Sequence, residues 1–303
     1  MATKAATAAL EQSDQAPPRR RTSTRTLAVF GALLLLLTAV ALSLAIGSRS
    51  RSLATVVHAL LHDNGSTASS VVWDVRVPRT LAGIAAGAAL GVAGALIQAL
   101  TRNPLADPGL LGINAGAATG VVLSLTVLGL TSMWASVWFA MARAVVAGLL
   151  AYSLASGGRG GATPERLALG GAVIAAVFTG ISQTLMLLDA QALDQLRFWS
   201  VGSLARADSE TLTTITPFVV VGLVLALALV RPLNALALGD DTARALGAHL
   251  DRTRFLGLLT VTLLCGAATS AVGPLVFVGL AVPHMARMIA GADQRWTLPL
   301  SIA

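Results

Sequence analysis

Long apolar runs alternate along the chain with short polar stretches rich in Gly, Pro, Asp and Arg. The runs over 27–47, 80–101, 110–130, 134–156, 167–188, 211–230, 255–272 and a Gly/Pro-punctuated 274–290 each predict a helix. At about 1.5 Å of rise per residue, such windows are long enough to cross a hydrocarbon core of about 30 Å. Most hold no acidic residue. The pattern therefore predicts an all-α, polytopic transmembrane helical bundle with eight spans in a single domain over 27–303. Ahead of it, residues 1–26, rich in Ala, Ser, Thr and Arg, predict a disordered basic tail. The first run follows Arg19, Arg20, Arg21 and Arg25, as a signal peptide would, but it is too long for the usual signal core and more spans follow, so a retained helix is expected.

Small residues recur at helical spacing, with Gly83, Gly87 and Gly91 in one run and Gly112, Gly116 and Gly120 in the next. In lipid, such spacing lets helix backbones approach closely, and packing is a sufficient reading of it. Asn103-Pro104 and Asp107-Pro108 stop one helix and start another within a short loop. Two polar loops are longer, 189–210 and 231–254. The second contains Gly239-Asp240-Asp241-Thr242-Ala243-Arg244-Ala245-Leu246-Gly247, where acidic residues at the start and a glycine at the end predict a short helix. A helix this short is marginal unless its own bundle or a partner packs on it.

Composition sharpens the membrane reading. The chain is 55% hydrophobic and only 12% charged, with a mean hydropathy of +0.77, against about a quarter charged in an ordinary soluble domain. Its net charge of +7 is scattered through the inter-helix loops, which excludes a compact nucleic-acid-binding module and reports topology instead. With the N-terminus inside, Arg102, Arg159, Arg166, Arg231, Arg244, Arg252, Arg254, Arg287 and Arg295 fall on the cytoplasmic side, as the positive-inside rule requires. In the later loops only Arg197 and Arg206 fall outside, while Arg49, Arg51, Arg76 and Arg79 in the first outer loop run against the rule and need another explanation. The chain is thus expected to cross a membrane several times, with a cytoplasmic N-terminus.

The chemistry the chain lacks is equally informative. Its one lysine, Lys4, sits in the tail, so no P-loop can be built. No Asp or Glu occurs between Asp107 and Glu165, and the other runs keep acids only at their margins, such as Asp189; a carrier driven by protons or sodium usually places carboxylates near the midplane. Cys265 is the only cysteine and lies in an apolar run, which excludes a disulfide or thiolate metal site within the chain. His58 and His62 fall in a Gly/Ser-rich loop, where a chance spacing accounts for them. No metal site and no catalytic residue is expected. Arg143, inside a run, either faces a water-filled path or snorkels. Gln98, Asn114, Gln183 and Thr184 either line a pathway or hydrogen-bond between helices. An external source of power is implied.

Several stretches are specific enough to carry a resemblance. Trp73-Asp74-Val75-Arg76-Val77-Pro78-Arg79, the Gly-rich helix over 82–98, and Asn103-Pro104-Leu105-Ala106-Asp107-Pro108-Gly109-Leu110-Leu111-Gly112 resemble the signature of the iron-siderophore and cobalamin ABC importer permeases. Trp199-Ser200-Val201-Gly202-Ser203-Leu204, the 239–247 segment, Gly273-Pro274 through Gly279, and Pro283-His284 match the same family, in order, from about residue 27 to the end. Family members are similar in having ten spans, so the resemblance implies that the C-terminal spans are missing from this sequence.

The resemblance further implies a non-catalytic transport subunit of a type II importer. Its partners would be a second permease chain, identical or homologous, two cytoplasmic ATPase subunits that hold the ATP and Mg, and an extracytoplasmic substrate-binding protein. This chain would bind no cofactor itself. Arg76 and Arg79 match family arginines that pair with acidic residues on the binding protein, although interfacial anchoring is a second account of them. Gly239, Asp240, Asp241, Ala243, Arg244, Leu246 and Gly247 match the ATPase-coupling segment, about 236–251. Asn103 and Leu105 align with the cytoplasmic gate region, where a plain helix-breaking turn would look the same; Gln98 and Gln183 are pathway candidates. The cargo class implied is an iron-siderophore-type chelate, with haem and cobalamin carried by similar permeases. A secondary carrier of a small solute and a permease-like scaffold without transport are the alternatives.

Overall fold

A computed structural model describes residues 22–47, 52–62, 65–130, 132–157, 163–188 and 190–303. Lys4, Arg19, Arg20, Arg21, Arg49, Arg51, Arg159 and Asp189 lie outside the described residues, as does most of the tail expected over 1–26. Helix α1 spans Thr22–Ala45, α2 Leu53–Leu61 and α3 Thr67–Ser70. A π-helical turn, Val71–Arg76, leads into α4, Val77–Thr101. Then come α5 (Ile113–Thr126), α6 (Met133–Ser156), α7 (Pro164–Leu188), α8 (Ala190–Ser200), α9 (Ser209–Ala228), α10 (Val230–Leu236), α11 (Asp240–Ala245), α12 (Leu250–Val272), α13 (Val278–Ala290) and α14 (Gln294–Ile302).

Each of the eight apolar runs contains a helix, but only six of these helices are long and apolar enough to cross a membrane. The other two, α5 and α13, have 14 and 13 residues, about 20 Å at helical rise. They are short because each begins after a broken segment. Before α5, Asp107 Oδ1 accepts from the amide of Gly109 at 2.7 Å and caps a 3-10 turn, Pro108–Leu111. Before α13, the chain runs from Gly273 to Phe277 without helix, and Phe277 adopts φ 72°.

Helices α4 and α12 form the centre of the bundle, with 67% and 78% of their apolar windows buried, whereas none of the window in α1 is. Helix α4 packs against α12, α13, α9 and α14; α5, α6 and α7 form a second cluster, joined to the first where α6 packs on α12. The fully buried side chains Leu96, Ile97, Leu100 and Leu264 lie along the α4 and α12 seam and in its surroundings. Where α5 meets α6, the glycine spacing has its reason: a methyl added at Gly120 would lie 2.3 Å from the carbonyl oxygen of Phe139.

Two expected loops are more ordered than their polarity suggests. Within 189–210, α8 and a 3-10 turn at Leu204–Arg206 form, and the amide of Ser203 donates to the carbonyl of Val272 at 2.7 Å. The histidine pair is not in a loop: His58 lies on α2 and His62 caps it, with the imidazoles stacked 5.0 Å apart. Within 231–254, the short helix over Asp240–Ala245 forms between Gly239 at φ 103° and Gly247 at φ 80°.

Candidate functional site

Three polar clusters stand out, one at each end of the bundle and one inside it. At the end where α4 stops, Arg102 closes the helix in the left-handed conformation, φ 51°. Its Nε donates to the carbonyl of Leu236 at 3.1 Å, and its Nη2 donates to Asp240 Oδ1. The second oxygen of Asp240 accepts from Arg254 Nη2 at 2.8 Å. Arg254 sits in the first turns of α12 and is almost wholly enclosed. Burial pushes the Asp240 carboxyl up, but the hydrogen bonds and charges of Arg254 and Arg102 outweigh it and hold the group below the usual carboxylate range.

The rest of the 239–247 segment divides by face. Ala243 is fully buried beneath the helix, while Leu246 is exposed and Leu238 beside it is as well. Asp241 pairs with Arg244 of its own helix, at 3.3 Å. Nearby, Asn234 Nδ2 donates to Asp293 Oδ1 at 2.8 Å and Asn234 Oδ1 accepts from the amide of Gln294 at 2.9 Å, which ties α10 to the start of α14. Asn103 and Leu105 follow Arg102 directly. Asn103 Oδ1 accepts from the amide of Leu105 at 2.9 Å, and the Leu105 side chain is 71% exposed.

Inside the bundle, the two broken segments meet. Gln98 Nε2 donates to the carbonyl of Ala106 at 3.1 Å and to that of Leu280 at 3.3 Å. Two carbonyls facing one atom require the amide nitrogen there, which settles the orientation of the side chain. Its Oε1 is buried without a partner among the described residues. Asn114 accepts from Thr269 Oγ1 at 2.9 Å, joining α5 to α12. Thr184 donates within its own helix, to the carbonyl of Gly180 at 2.9 Å. Gln183 is exposed on α7. Arg143 is half-buried on α6.

At the opposite end, Trp73 Nε1 donates to the carbonyl of Ala59 at 3.1 Å, fastening the π turn to α2. Arg76 is buried, and its Nη1 donates to the carbonyls of Leu44 and Ala45, two of the orphan acceptors at the end of α1. Arg79 is half-buried, and its Nη2 donates to the carbonyl of Ala205 at 3.2 Å. The two arginines therefore face different neighbours.

Sequence reasoning did not single out Arg102, Arg254, Asn234 or Asp293 as site residues. Arg102 lies 138 positions from Asp240 and Asn234 lies 59 from Asp293, Arg254 lies 14 from Asp240, and nothing in local spacing marks any of them; the one available signal was an arginine directly ahead of Asn103-Pro104. None of the described residues forms a group of three His, Cys, Asp or Glu side chains suited to a metal ion.

A family model described as the FecCD transport family matches residues 34–303. The chain is 49% identical over 279 residues to the ferric enterobactin transport system permease protein FepD of Escherichia coli (strain K12), covering 92% of this chain and 84% of that one. It is 36% identical over 278 residues to the hemin transport system permease protein HmuU of Yersinia pestis, covering 89% and 81%. Among solved structures it is similar to one described as an inward-facing conformation of a metal-chelate type ABC transporter, with a TM-score of 0.80 and 26% identity over 90% of this chain and 85% of that one.

Proposed function

The chain belongs to the FecCD transport family, and from that premise we propose that it is the permease subunit of an ATP-binding cassette importer carrying a ferric siderophore across the cytoplasmic membrane. The observation that carries this reading is the 239–247 segment. A six-residue helix, Asp240–Ala245, is marginal alone, yet here it is pinned by two arginines and presents Leu246 outward at the mouth of a bundle with no lysine for nucleotide phosphates. That is a surface for a companion that supplies power. In this reading 239–247 sits on a cytoplasmic ATPase subunit, which holds ATP and Mg, and the transport domain proper is 27–303 with the tail 1–26 on the cytoplasmic side. This chain performs no covalent chemistry.

The remaining partners are a second permease chain and an extracytoplasmic binding protein. Arg76 and Arg79 are the docking candidates; Arg79 presents itself, while Arg76 holds the end of α1. Asn103 and Leu105 form the cytoplasmic gate, with Gln98 behind them and Gln183 on the flank. The ferric siderophore as cargo rests on the similarity to a ferric enterobactin permease, and haem is the next cargo in line.

Deleting 239–247 and purifying the assembly tests the reading. Loss of the co-purifying ATPase together with iron-chelate uptake is expected. Retention of both overturns it, and the ligand found on the co-purifying binding protein identifies the cargo.

A further inference from the structure

Arg102 occupies an unusual position between two functional segments. It ends α4 with a left-handed backbone that a non-glycine residue adopts only at a steric cost, and its guanidinium reaches across to a distant part of the chain. One nitrogen holds the last residue of α10, Leu236, and another holds the first residue of α11, Asp240. The next residues along the chain are Asn103, Pro104 and Leu105. Behind this loop, Gln98 grips the carbonyl of Ala106. Arg102 thus ties α11 directly to the residue that precedes Asn103 and Leu105.

The two arginines on Asp240 are not equivalent. Arg254, buried in α12, anchors α11 to the centre of the bundle. Arg102, more exposed, belongs to the loop side. Removing Arg102 leaves Asp240 paired with Arg254, so α11 stays in place while its connection to the loop is cut. Asp241, by contrast, pairs with Arg244 of its own helix.

We infer that Arg102 is a positioning residue that transmits movement of the ATPase-bound 239–247 segment to the 103–107 loop. This rests on the proposed role of 239–247 and adds the mechanical link that the role requires.

The test uses the full assembly in lipid nanodiscs, with Cys265, the one cysteine, changed to Ser and spin labels placed at Leu105 and Leu154, both exposed. The readout is the shift in label separation when ATP is added, alongside ATPase co-purification. Wild type at Arg102 is expected to show the shift. Arg102→Gln is expected to keep the ATPase bound and to hydrolyse ATP within about twofold of wild type, with the shift lost. Arg102→Lys keeps a charge facing Asp240 but cannot hold Leu236 and Asp240 with one planar fork, so a reduced shift is expected. If the Arg102→Gln permease does not fold and cannot be purified, Arg102→Lys decides alone, and a full shift in it overturns the link. A full shift in Arg102→Gln, no shift in wild type, or loss of the ATPase from Arg102→Gln each overturns it as well. Failure of the coupling-segment reading is separate: it shows as an ATPase that stays bound when 239–247 is deleted.

Discussion

Gly94 of α4 and Gly279 of α13 meet backbone to backbone: a methyl built on Gly94 would lie 1.8 Å from the carbonyl oxygen of Gly279. The broken segment before α13 can enter the bundle only because both positions lack a side chain. Gly94→Ala is therefore expected to destabilise the protein by about 1–3 kcal/mol or to prevent folding, since backbone cannot step aside. Gly180→Ala, on α7 with nothing within 4 Å of the added methyl, should be neutral or gain up to about 1 kcal/mol of helix propensity. Thermal unfolding in detergent, followed by tryptophan fluorescence, compares the two.

The contrast between these glycines also marks what the sequence could and could not disclose. Hydrophobic run length depends on the solvent, so the eight helices were legible from residues alone. The breaks before α5 and α13 were visible only as Pro and Gly, because their depth is set by close approaches such as Gly94 to Gly279 and Gln98 to Leu280, made across the fold. Arg76 and Arg79 lie three apart and look like a pair, yet the π turn separates their environments. Arg102 and Asp240 are 138 positions apart, and no periodicity reaches that far.

Arg76 and Arg79 should separate experimentally. Arg76→Gln withdraws a charged donor from the carbonyls of Leu44 and Ala45 and is expected to cost about 1–3 kcal/mol of stability. Arg79→Gln removes the charge and, being shorter, gives up a single exposed hydrogen bond to Ala205. It should leave stability within about 0.5 kcal/mol and slow binding-protein docking several-fold at low ionic strength, with the difference fading near physiological salt. Thermal unfolding and stopped-flow association read the two effects. Equal docking rates for Arg79→Gln and wild type at low salt would remove Arg79 from the docking surface.

Asp240 makes a prediction about pH. Its carboxyl is held below the ordinary range by Arg254 and Arg102 against the opposing push of burial. A depressed folded-state value contributes stability that is present above the unfolded value, about 3.9, and is lost as pH falls through the folded one. The difference in melting temperature between wild type and Asp240→Asn should thus be flat from about pH 5.5 to 8 and shrink only below about pH 4. A difference that changed near neutral pH would mean that another group holds α11.

Gln98 offers the sharpest choice between a lining residue and a structural one. Its amide nitrogen is shared by the carbonyls of Ala106 and Leu280, which belong to the loop after α4 and the first turn of α13. A leucine of similar size would take the side-chain donor from the buried carbonyl of Ala106 and cut the tie to α13, at an expected cost of about 1–3 kcal/mol. A glutamate that stayed ionised would face two carbonyl oxygens with no proton to donate, so Gln98→Glu should be worse than Gln98→Leu. If Gln98 instead serves mainly by touching cargo, Gln98→Leu would change uptake while its melting temperature stayed at the wild-type value. Because the same atom holds both broken segments together, we expect stability to fall first and uptake to follow it.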